Sequence, residues 1–140
     1  MKRHLFDASS FVKALKLSKP ELLIKSHIQW LTLYEIMNAL WKETCLAKAI
    51  PVDKALQLMD IVTQIAKHMK ILDISGLEVE TLDTAIKLGL TAYDASYIAL
   101  AKKHNLVLVT EDAELKIKAQ QLVKTLSIGE TSSHQDNNTS

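Results

Sequence analysis

The sequence predicts a three-layer α/β/α sandwich built around a mainly parallel central sheet. Short apolar segments with strand character alternate with longer amphipathic segments along the chain, and this alternation is typical of a sheet covered by helices on both faces. The segment LVLVT, residues 106–110, is a continuous apolar run, as expected for a parallel strand that is buried on both sides. A chain of 140 residues suits one such domain.

The first half of the chain begins with a short strand, RHLF at residues 3–6, and a helix within residues 8–17. Residues 21–30 are ambiguous between helix and strand. From Thr32 the apolar spacing is helical, and the side chains that share this face are Leu33, Ile36, Met37, Leu40 and Trp41.

Pro51 ends that helix and suits the entry to the next. The spacing then predicts helices within 52–69, 78–88, 92–105 and 113–122, with strands within 70–75, 106–110 and 123–127. Gly89 is placed to end the helix within 78–88 in a left-handed conformation. We predict a domain over residues 1–126 and a polar, disordered tail over residues 127–140.

The composition excludes several classes of protein. No apolar run is long enough to cross a bilayer, and the N-terminus does not resemble a secretory signal. Cys45 is the only cysteine, which rules out an internal disulfide and favours a reducing, cytoplasmic location. The net charge of +1 gives no general affinity for nucleic acid. The five histidines have no helical metal spacing, so no zinc site is predicted.

Two motifs share the pattern threonine, any residue, tyrosine, acid. They are Thr32 to Glu35 and Thr91 to Asp94, and each opens a predicted helix. Taken singly, each pair matches a helix capping box, in which the threonine and the acid satisfy free backbone amides. Asp7 and Asp112 follow predicted strands and precede helices, where aspartate is a common N-terminal cap.

Taken together, these four acids favour a shared site. Ligands of an open parallel sheet bind beyond the carboxyl ends of the strands, where the helices begin. Four carboxylates brought together there would repel one another and raise their pKa values unless a cation intervened. Mg²⁺ or Mn²⁺ prefers oxygen ligands, so either ion suits a pocket lined by carboxylates.

Three blocks of the sequence, in this order, resemble the PIN-domain family, particularly its VapC-like toxin ribonuclease branch. They are LFDASSFVKAL, LTLYEIMNALWK and GLTAYDASYIALAKKHNLVLVTEDAEL. The resemblance covers residues 3 to about 126. Its most specific part is the third block, where an aspartate opens a helix that is followed by an apolar strand and a Thr-x-Asp sequence.

The resemblance implies a PIN-like fold and a pocket that binds Mg²⁺ or Mn²⁺ through Asp7, Glu35, Asp94 and Asp112. It implies support for that pocket from the hydroxyls of Ser9 and Thr110. Glu114 matches a further acidic position more loosely, and an ordinary acid in a first helical turn is an equal alternative. Asn38 either faces the pocket or faces solvent, and we expect the latter. The implied activity is endonucleolytic hydrolysis of RNA by metal-activated water.

Substrate and partner contacts are less specific in the sequence. Lysines on the helices that leave the pocket could bind RNA phosphates, or could be ordinary solvated side chains; they are Lys13, Lys16, Lys42, Lys102 and Lys103. The resemblance implies an antitoxin partner and a homodimer. The apolar side chains around Trp30 and Trp41 could line a groove for a partner helix, although core packing is the expected role.

Two further interpretations remain open from the sequence. The chain could be a PIN-type module that binds RNA or protein without cleaving it. It could also be an α/β interaction domain whose acids serve only as helix caps.

Packing in the interior would explain Tyr34 and Tyr93 at least as well as a role in the pocket.

Overall fold

The computed structural model describes residues 2–131. Within them, a five-stranded sheet has the order β3-β2-β1-β4-β5, and every neighbouring pair is parallel. The strands are β1 (His4–Phe6), β2 (His27–Gln29), β3 (Lys70–Leu72), β4 (Val107–Val109) and β5 (Thr125–Leu126). The predicted α/β class with a parallel sheet is therefore confirmed.

Helices connect the strands in the predicted order. They are α1 (Ala8–Lys16), α2 (Trp30–Trp41), α3 (Val52–Ala66), α4 (Glu78–Leu88), α5 (Ala92–His104) and α6 (Ala113–Ala119). The ambiguous segment resolves into a 3₁₀ turn, Pro20–Leu22, followed by β2, and a π-helical turn, Lys42–Leu46, extends α2. Gly89 ends α4 with φ of 66°, which confirms the predicted left-handed cap.

The sheet separates two hydrophobic cores, because successive side chains of a strand point to opposite faces. Leu5 and Leu108 pack with α5 and α6 on one face. Phe6 and Val109 pack on the other face with α1, α2 and α3. All four side chains are fully buried. Three layers result, and the helices that follow β1, β2 and β4 begin at the carboxyl edge of the sheet.

The predicted apolar face of α2 is only partly buried. Ile36 lies in the core, but Met37 and Trp41 are 42% and 51% exposed, and Trp30 is 55% exposed. The expectation that the two tryptophans fill the core is therefore wrong. An apolar groove of about 320 Å³ lies between α2 and α3, and we call it the α2–α3 groove; its lining includes Met37, Leu40, Trp41, Val52, Leu56 and Met59.

The described chain continues past the predicted domain boundary at residue 126. Residues 128–131 form a helical turn, and Ile128, which is 2% exposed, packs in the core. The backbone amide of Ile128 donates to Glu111 Oε1 at 2.6 Å, which ties this turn to the start of α6. The rest of the predicted tail, residues 132–140, lies outside the described residues. Over residues 2–131, none of the helices has both the length and the apolar character needed to cross a membrane.

Candidate active site

One cavity of about 520 Å³ lies at the carboxyl edge of the sheet. The four acids singled out in the sequence all line it, although they come from four separate places in the chain. Strand order explains the convergence, because β1 is flanked by β2 and β4 and the segments that follow these three strands meet at one edge. The other polar side chains that line the cavity are Ser9, Lys16, Asn38, Lys42 and Tyr97.

Asp7 is the most buried of the four acids, with 6% of its surface exposed. Its Oδ1 accepts hydrogen bonds from Ser9 Oγ at 2.7 Å, from the Ser10 amide at 2.9 Å and from Ser10 Oγ at 3.0 Å. Its Oδ2 accepts from Thr110 Oγ1 at 2.5 Å. Burial nevertheless outweighs these bonds and raises the pKa of Asp7 above its ordinary value.

The hydroxyls of Ser9 and Thr110 connect Asp7 to the loop that follows β4. The Glu111 amide donates to Ser9 Oγ at 3.0 Å, and the Asp112 amide donates to Thr110 Oγ1 at 3.1 Å. Each hydroxyl therefore accepts from the loop and donates to the Asp7 carboxylate. This network fixes the position of Asp7 relative to the segment that presents Asp112.

Asp7 and Asp112 are helix caps as well as pocket residues. Asp7 caps α1 through the Ser10 amide, and Asp112 Oδ1 caps α6 by accepting from the Leu115 amide at 3.0 Å. The capping interpretation is thus confirmed for these two acids. A capping role and a place in the cavity are compatible, since Asp7 and Asp112 each lie where a strand passes into a helix at this edge.

Glu35 is not a helix cap. Helix α2 begins at Trp30, and its capping box is formed by Gln29 and Thr32. Glu35 therefore lies beyond the first turn, and its Oε1 accepts a hydrogen bond from Tyr97 Oη at 2.5 Å. The Tyr97 hydroxyl also lies 2.8 Å from Thr32 Oγ1. Thr32, the threonine of this motif, therefore bonds to Tyr97, and Tyr97 in turn donates to Glu35.

Asp94 lies in the first turn of α5, and the cap of this helix is Thr91. Thr91 Oγ1 accepts from the Asp94 backbone amide at 3.2 Å. The carboxylate of Asp94 lines the cavity, where it faces the other acids. Of the capping box predicted for this motif, the structure therefore shows the bond to the threonine side chain, and the carboxylate of Asp94 lines the cavity instead.

The acids in the cavity perturb one another. Burial is the main cause that raises the pKa of Asp94, and the charges of Asp112 and Asp7 raise it further. The pKa of Glu35 is raised by burial, and also by Asp7 and Asp94, against the hydrogen bond from Tyr97. Negative charge thus accumulates in this cavity without full compensation, as expected of a pocket that accommodates a cation.

The four carboxylates offer only oxygen atoms as ligands, and a hard divalent cation prefers oxygen ligands. Within residues 2–131, however, no group of three histidine, cysteine, aspartate or glutamate side chains is already arranged to hold a metal ion. Electrostatic repulsion between the carboxylates opposes their closest approach. Tyr97 and the Leu115 amide also draw one oxygen of Glu35 and of Asp112 into local hydrogen bonds.

The remaining predicted residues divide between the cavity and other places. Asn38 is exposed, as expected, and it also lines the open cavity. Lys16 and Lys42 also line it, whereas Lys13 is exposed on α1 outside the lining. Glu114 forms an ion pair with Lys118 at 2.8 Å, although its charge contributes to the raised pKa of Asp94.

Lys102 and Lys103 lie in the last turn of α5, at the opposite end of the helix from Asp94. Eight residues separate Asp94 from Lys102, which is about 12 Å along a helix. Lys102 lies 3.7 Å from Glu80 on α4. Neither lysine lines the cavity. Tyr34 and Tyr93 are 67% and 65% exposed, so interior packing does not explain them.

Sequence reasoning missed the side chains that position the acids. Tyr97 is 1% exposed and joins Glu35 to Thr32, while Ser10 joins Asp7 to the carbonyl of Val109 at 2.7 Å. Tyr97 follows Asp94 by three residues, so the helical period places both on one face. This spacing was the only feature of the sequence that pointed to a role for Tyr97 in the site. The apolar residues around Tyr97 favoured a role in the core instead.

The fold and the site together define a class of protein. It is an α/β protein with an acidic cavity at the carboxyl edge of a parallel sheet. The PIN domain family model matches residues 5–120. The chain therefore belongs to the PIN-domain family.

Two curated relatives come from Pyrobaculum aerophilum. Exonuclease VapC9 is 42% identical over 96 residues, which cover 69% of this chain and 68% of the relative. Ribonuclease VapC3 is 32% identical over 97 residues, which cover 69% of this chain and 73% of the relative. The chain is thus similar to proteins of the VapC kind, as the sequence blocks predicted.

A crystal structure of PAE2754 from the same organism has a similar fold. The TM-score is 0.75 at 30% identity, and the match covers 93% of this chain and 92% of that one. The PIN-like architecture predicted from the sequence is therefore confirmed.

Proposed function

We propose that the chain is a Mg²⁺- or Mn²⁺-dependent endoribonuclease. The observation that supports this most strongly is the convergence of Asp7, Glu35, Asp94 and Asp112 on one cavity, although they are far apart in sequence. Two of these acids, Glu35 and Asp94, are not helix caps. Their position is explained by a shared charge-binding role, and the raised pKa values are consistent with that role.

The four carboxylates would hold the cation, which supplies polarisation of the scissile phosphate and activation of a water molecule for in-line attack. Asp7 enters this arrangement pre-oriented, because four hydrogen bonds fix its side chain. Tyr97 donates to Oε1 of Glu35, so Oε2 is the oxygen that would bind the cation. No side chain is proposed to attack the phosphate itself.

Lys16 and Lys42 line the same cavity and would neutralise phosphates on either side of the scissile bond. Lysine binds phosphate as a point charge, so these contacts would be insensitive to base sequence. Asn38 adds an amide that can donate to RNA or accept from it. The cavity therefore combines an acidic end for the cation with a basic side for the substrate.

We further propose that the chain acts in the cytoplasm as the toxin of a toxin–antitoxin pair and forms a homodimer. The similarity to VapC proteins supports the toxin assignment. The α2–α3 groove supports an antitoxin contact, since it is apolar and its side chains are accessible. An apolar groove of this kind is suited to the hydrophobic face of a partner helix.

A second candidate function is a PIN-type module that binds RNA or protein without cleaving it. The observation that favours it is that no three acids are yet arranged around a metal position in residues 2–131. In that case Tyr97 and the Leu115 amide would hold Glu35 and Asp112 permanently apart.

The test is cleavage of a circular single-stranded RNA by the purified chain in EDTA, Mg²⁺ or Mn²⁺. A circle has no end, so only an endonuclease can cut it, whereas an exonuclease requires the linear form. We expect cleavage of both forms with either cation and none in EDTA. Asp7→Asn should remove it, and Asp53→Asn, in the first turn of α3, should not.

Cleavage of the linear RNA alone would contradict the endonuclease proposal and favour an exonuclease. Failure to cleave either form, by chain that is folded and free of partner, would favour the binding module.

A further inference from the structure

The opposite edge of the sheet, where the strands begin, has a row of cations. Each of the five strands has at least one basic residue at or shortly before its first residue. We call these residues the amino-edge cluster; they are Lys2, Arg3, Lys25, Lys70, Lys103 and Lys124. All are exposed except Lys2, which is partly buried.

Hydrogen bonds at the amino edge join Lys2 to Lys25 and tie Arg3 and Lys70 to the segments beside them. The Lys2 amide donates to the Lys25 carbonyl at 2.8 Å, and Arg3 Nη2 donates to the carbonyl of Asn105 at 2.7 Å. The Lys70 amide donates to the carbonyl of Ser26 at 3.0 Å. In sheet order the row runs from Lys70 through Lys25, Arg3 and Lys103 to Lys124. The starts of the five strands span four strand spacings, about 19 Å, and Lys103 lies before its strand in the last turn of α5.

No member of the cluster forms an ion pair with a carboxylate of the described residues. Within residues 2–131, each ion pair involves a lysine outside the cluster. Burial lowers the pKa of Lys2; the charge of Glu21 opposes this shift, and the charge of Lys25 adds to it. The pKa of His104 is lowered by burial and then by Lys70 and Lys103. Positive charge is therefore concentrated at this edge, although the whole chain has a net charge of only +1.

Helix dipoles explain only one member of the row. Lys103 lies in the last turn of α5, where a cation is favoured by the helix. Lys70 is part of a strand, and Lys2 and Arg3 precede one. Lys25 has a left-handed backbone with φ of 66°, a conformation for which asparagine or glycine is the better residue. Local structure therefore does not account for a lysine there.

We propose that the amino-edge cluster is a second RNA-binding surface, which holds the phosphate backbone of single-stranded RNA away from the cavity. This inference rests on the proposed ribonuclease function. A row of cations spaced by the strands matches a linear polyanion better than it matches a single phosphate. The acidic cavity repels RNA until a cation is bound, so a cationic surface elsewhere would supply the initial attraction.

The test compares two double variants that each remove two positive charges. Lys25→Asn with Lys103→Gln alters the cluster, and asparagine suits the left-handed backbone of Lys25. The matched control is Lys48→Asn with Lys54→Gln, because Lys48 has a similar φ of 52° and Lys54 is an exposed helical lysine outside the cluster. Binding of a fluorescent single-stranded RNA is measured by anisotropy in EDTA across a series of KCl concentrations.

We expect the cluster variant to bind RNA about tenfold more weakly than wild type, with a salt dependence whose slope is smaller by about 1.4. The control should stay within about twofold. Equal affinities of the two variants would overturn the inference. Loss of binding to polyglutamate with RNA binding unchanged would also overturn it, since the cluster would then serve an acidic protein.

Circular-RNA cleavage by the same proteins separates this inference from the proposed function. If wild type cleaves RNA but the two variants bind it equally, the cluster inference fails and the proposed function stands. If wild type does not cleave RNA but the cluster variant alone loses binding, the proposed function fails and the cluster remains an RNA-binding surface.

Discussion

Replacement of Asp94 by asparagine is expected to lower metal-dependent RNA cleavage by on the order of 100-fold or more. Loss of a residue that merely supports a metal ligand costs about 10- to 100-fold, and loss of a ligand should cost at least as much. The fold should be retained, because Thr91 makes the cap of α5 and Asp94 contributes its backbone amide to it. Cleavage rates at saturating Mg²⁺, with circular dichroism as the check on folding, measure both effects.

The same substitution should stabilise the metal-free chain. Burial, Asp112 and Asp7 raise the pKa of Asp94, so its ionised form is less favourable in the folded state than in the unfolded state. This penalty is fully present above the raised folded pKa and disappears as the pH falls below about 3.9, the unfolded value. Asp94→Asn should therefore raise the melting temperature more at pH 7 than at pH 5.

Asp53→Asn is the control for the stability measurement, since Asp53 also lies in the first turn of a helix but does not line the cavity. It should not reproduce the pH-dependent gain. A lower melting temperature for Asp94→Asn at pH 7 would contradict repulsion between the acids. Asp94 would then only stabilise the amino terminus of α5, as acids in a first helical turn usually do.

Replacement of Tyr97 by phenylalanine is expected to lower RNA cleavage by about 10- to 100-fold. The ring stays in the core, but the hydroxyl that donates to Glu35 at 2.5 Å and contacts Thr32 at 2.8 Å is lost. Thr32 retains its bond from the Gln29 amide, so the start of α2 should be preserved. The measured quantities are the cleavage rate and its dependence on Mn²⁺ concentration.

Tyr93→Phe removes a hydroxyl from an exposed tyrosine of the same helix and should have no comparable effect. Tyr97→Phe should require more Mn²⁺ for half-maximal cleavage, because Glu35 would be less well positioned. Cleavage by Tyr97→Phe at the wild-type rate, with the same Mn²⁺ requirement, would show that the hydrogen bond to Glu35 has no role in positioning it.

The sequence was sufficient to predict the fold because its local patterns agree with its tertiary structure. Strand β4 is a continuous apolar run, and the structure buries it on both faces. The four acids could also be predicted to converge, since the sequence places each one after a predicted strand or near the start of a predicted helix. Only the strand order, with β1 between β2 and β4, had to be assumed.

Contacts between distant residues could not be predicted in this way. Thr32 and Tyr97 are 65 positions apart, and no local pattern relates them. The start of α2 was placed two residues late because Gln29 forms a capping box with Thr32, in which the threonine has the role usually given to an acid. Trp30 and Trp41 were expected in the core because they are hydrophobic. Helix spacing identifies an apolar face, but it does not determine which part of that face packs against another helix or strand.

The amino-edge cluster was hidden for a related reason. Its residues are scattered along the chain, and the net charge of +1 gives no indication of them. They become neighbours only because five parallel strands begin at the same edge of the sheet. The same topology that gathers the acids at one edge thus gathers basic residues at the other.

Calorimetric titration of Mn²⁺ into the metal-free chain tests the central claim most directly, because it requires neither the correct RNA nor a partner. Binding should be saturable in wild type, much weaker in Asp94→Asn and unchanged in Asp53→Asn. Absence of saturable binding to folded wild-type chain, or equal binding to all three proteins, would contradict the claim that the four acids form a cation site.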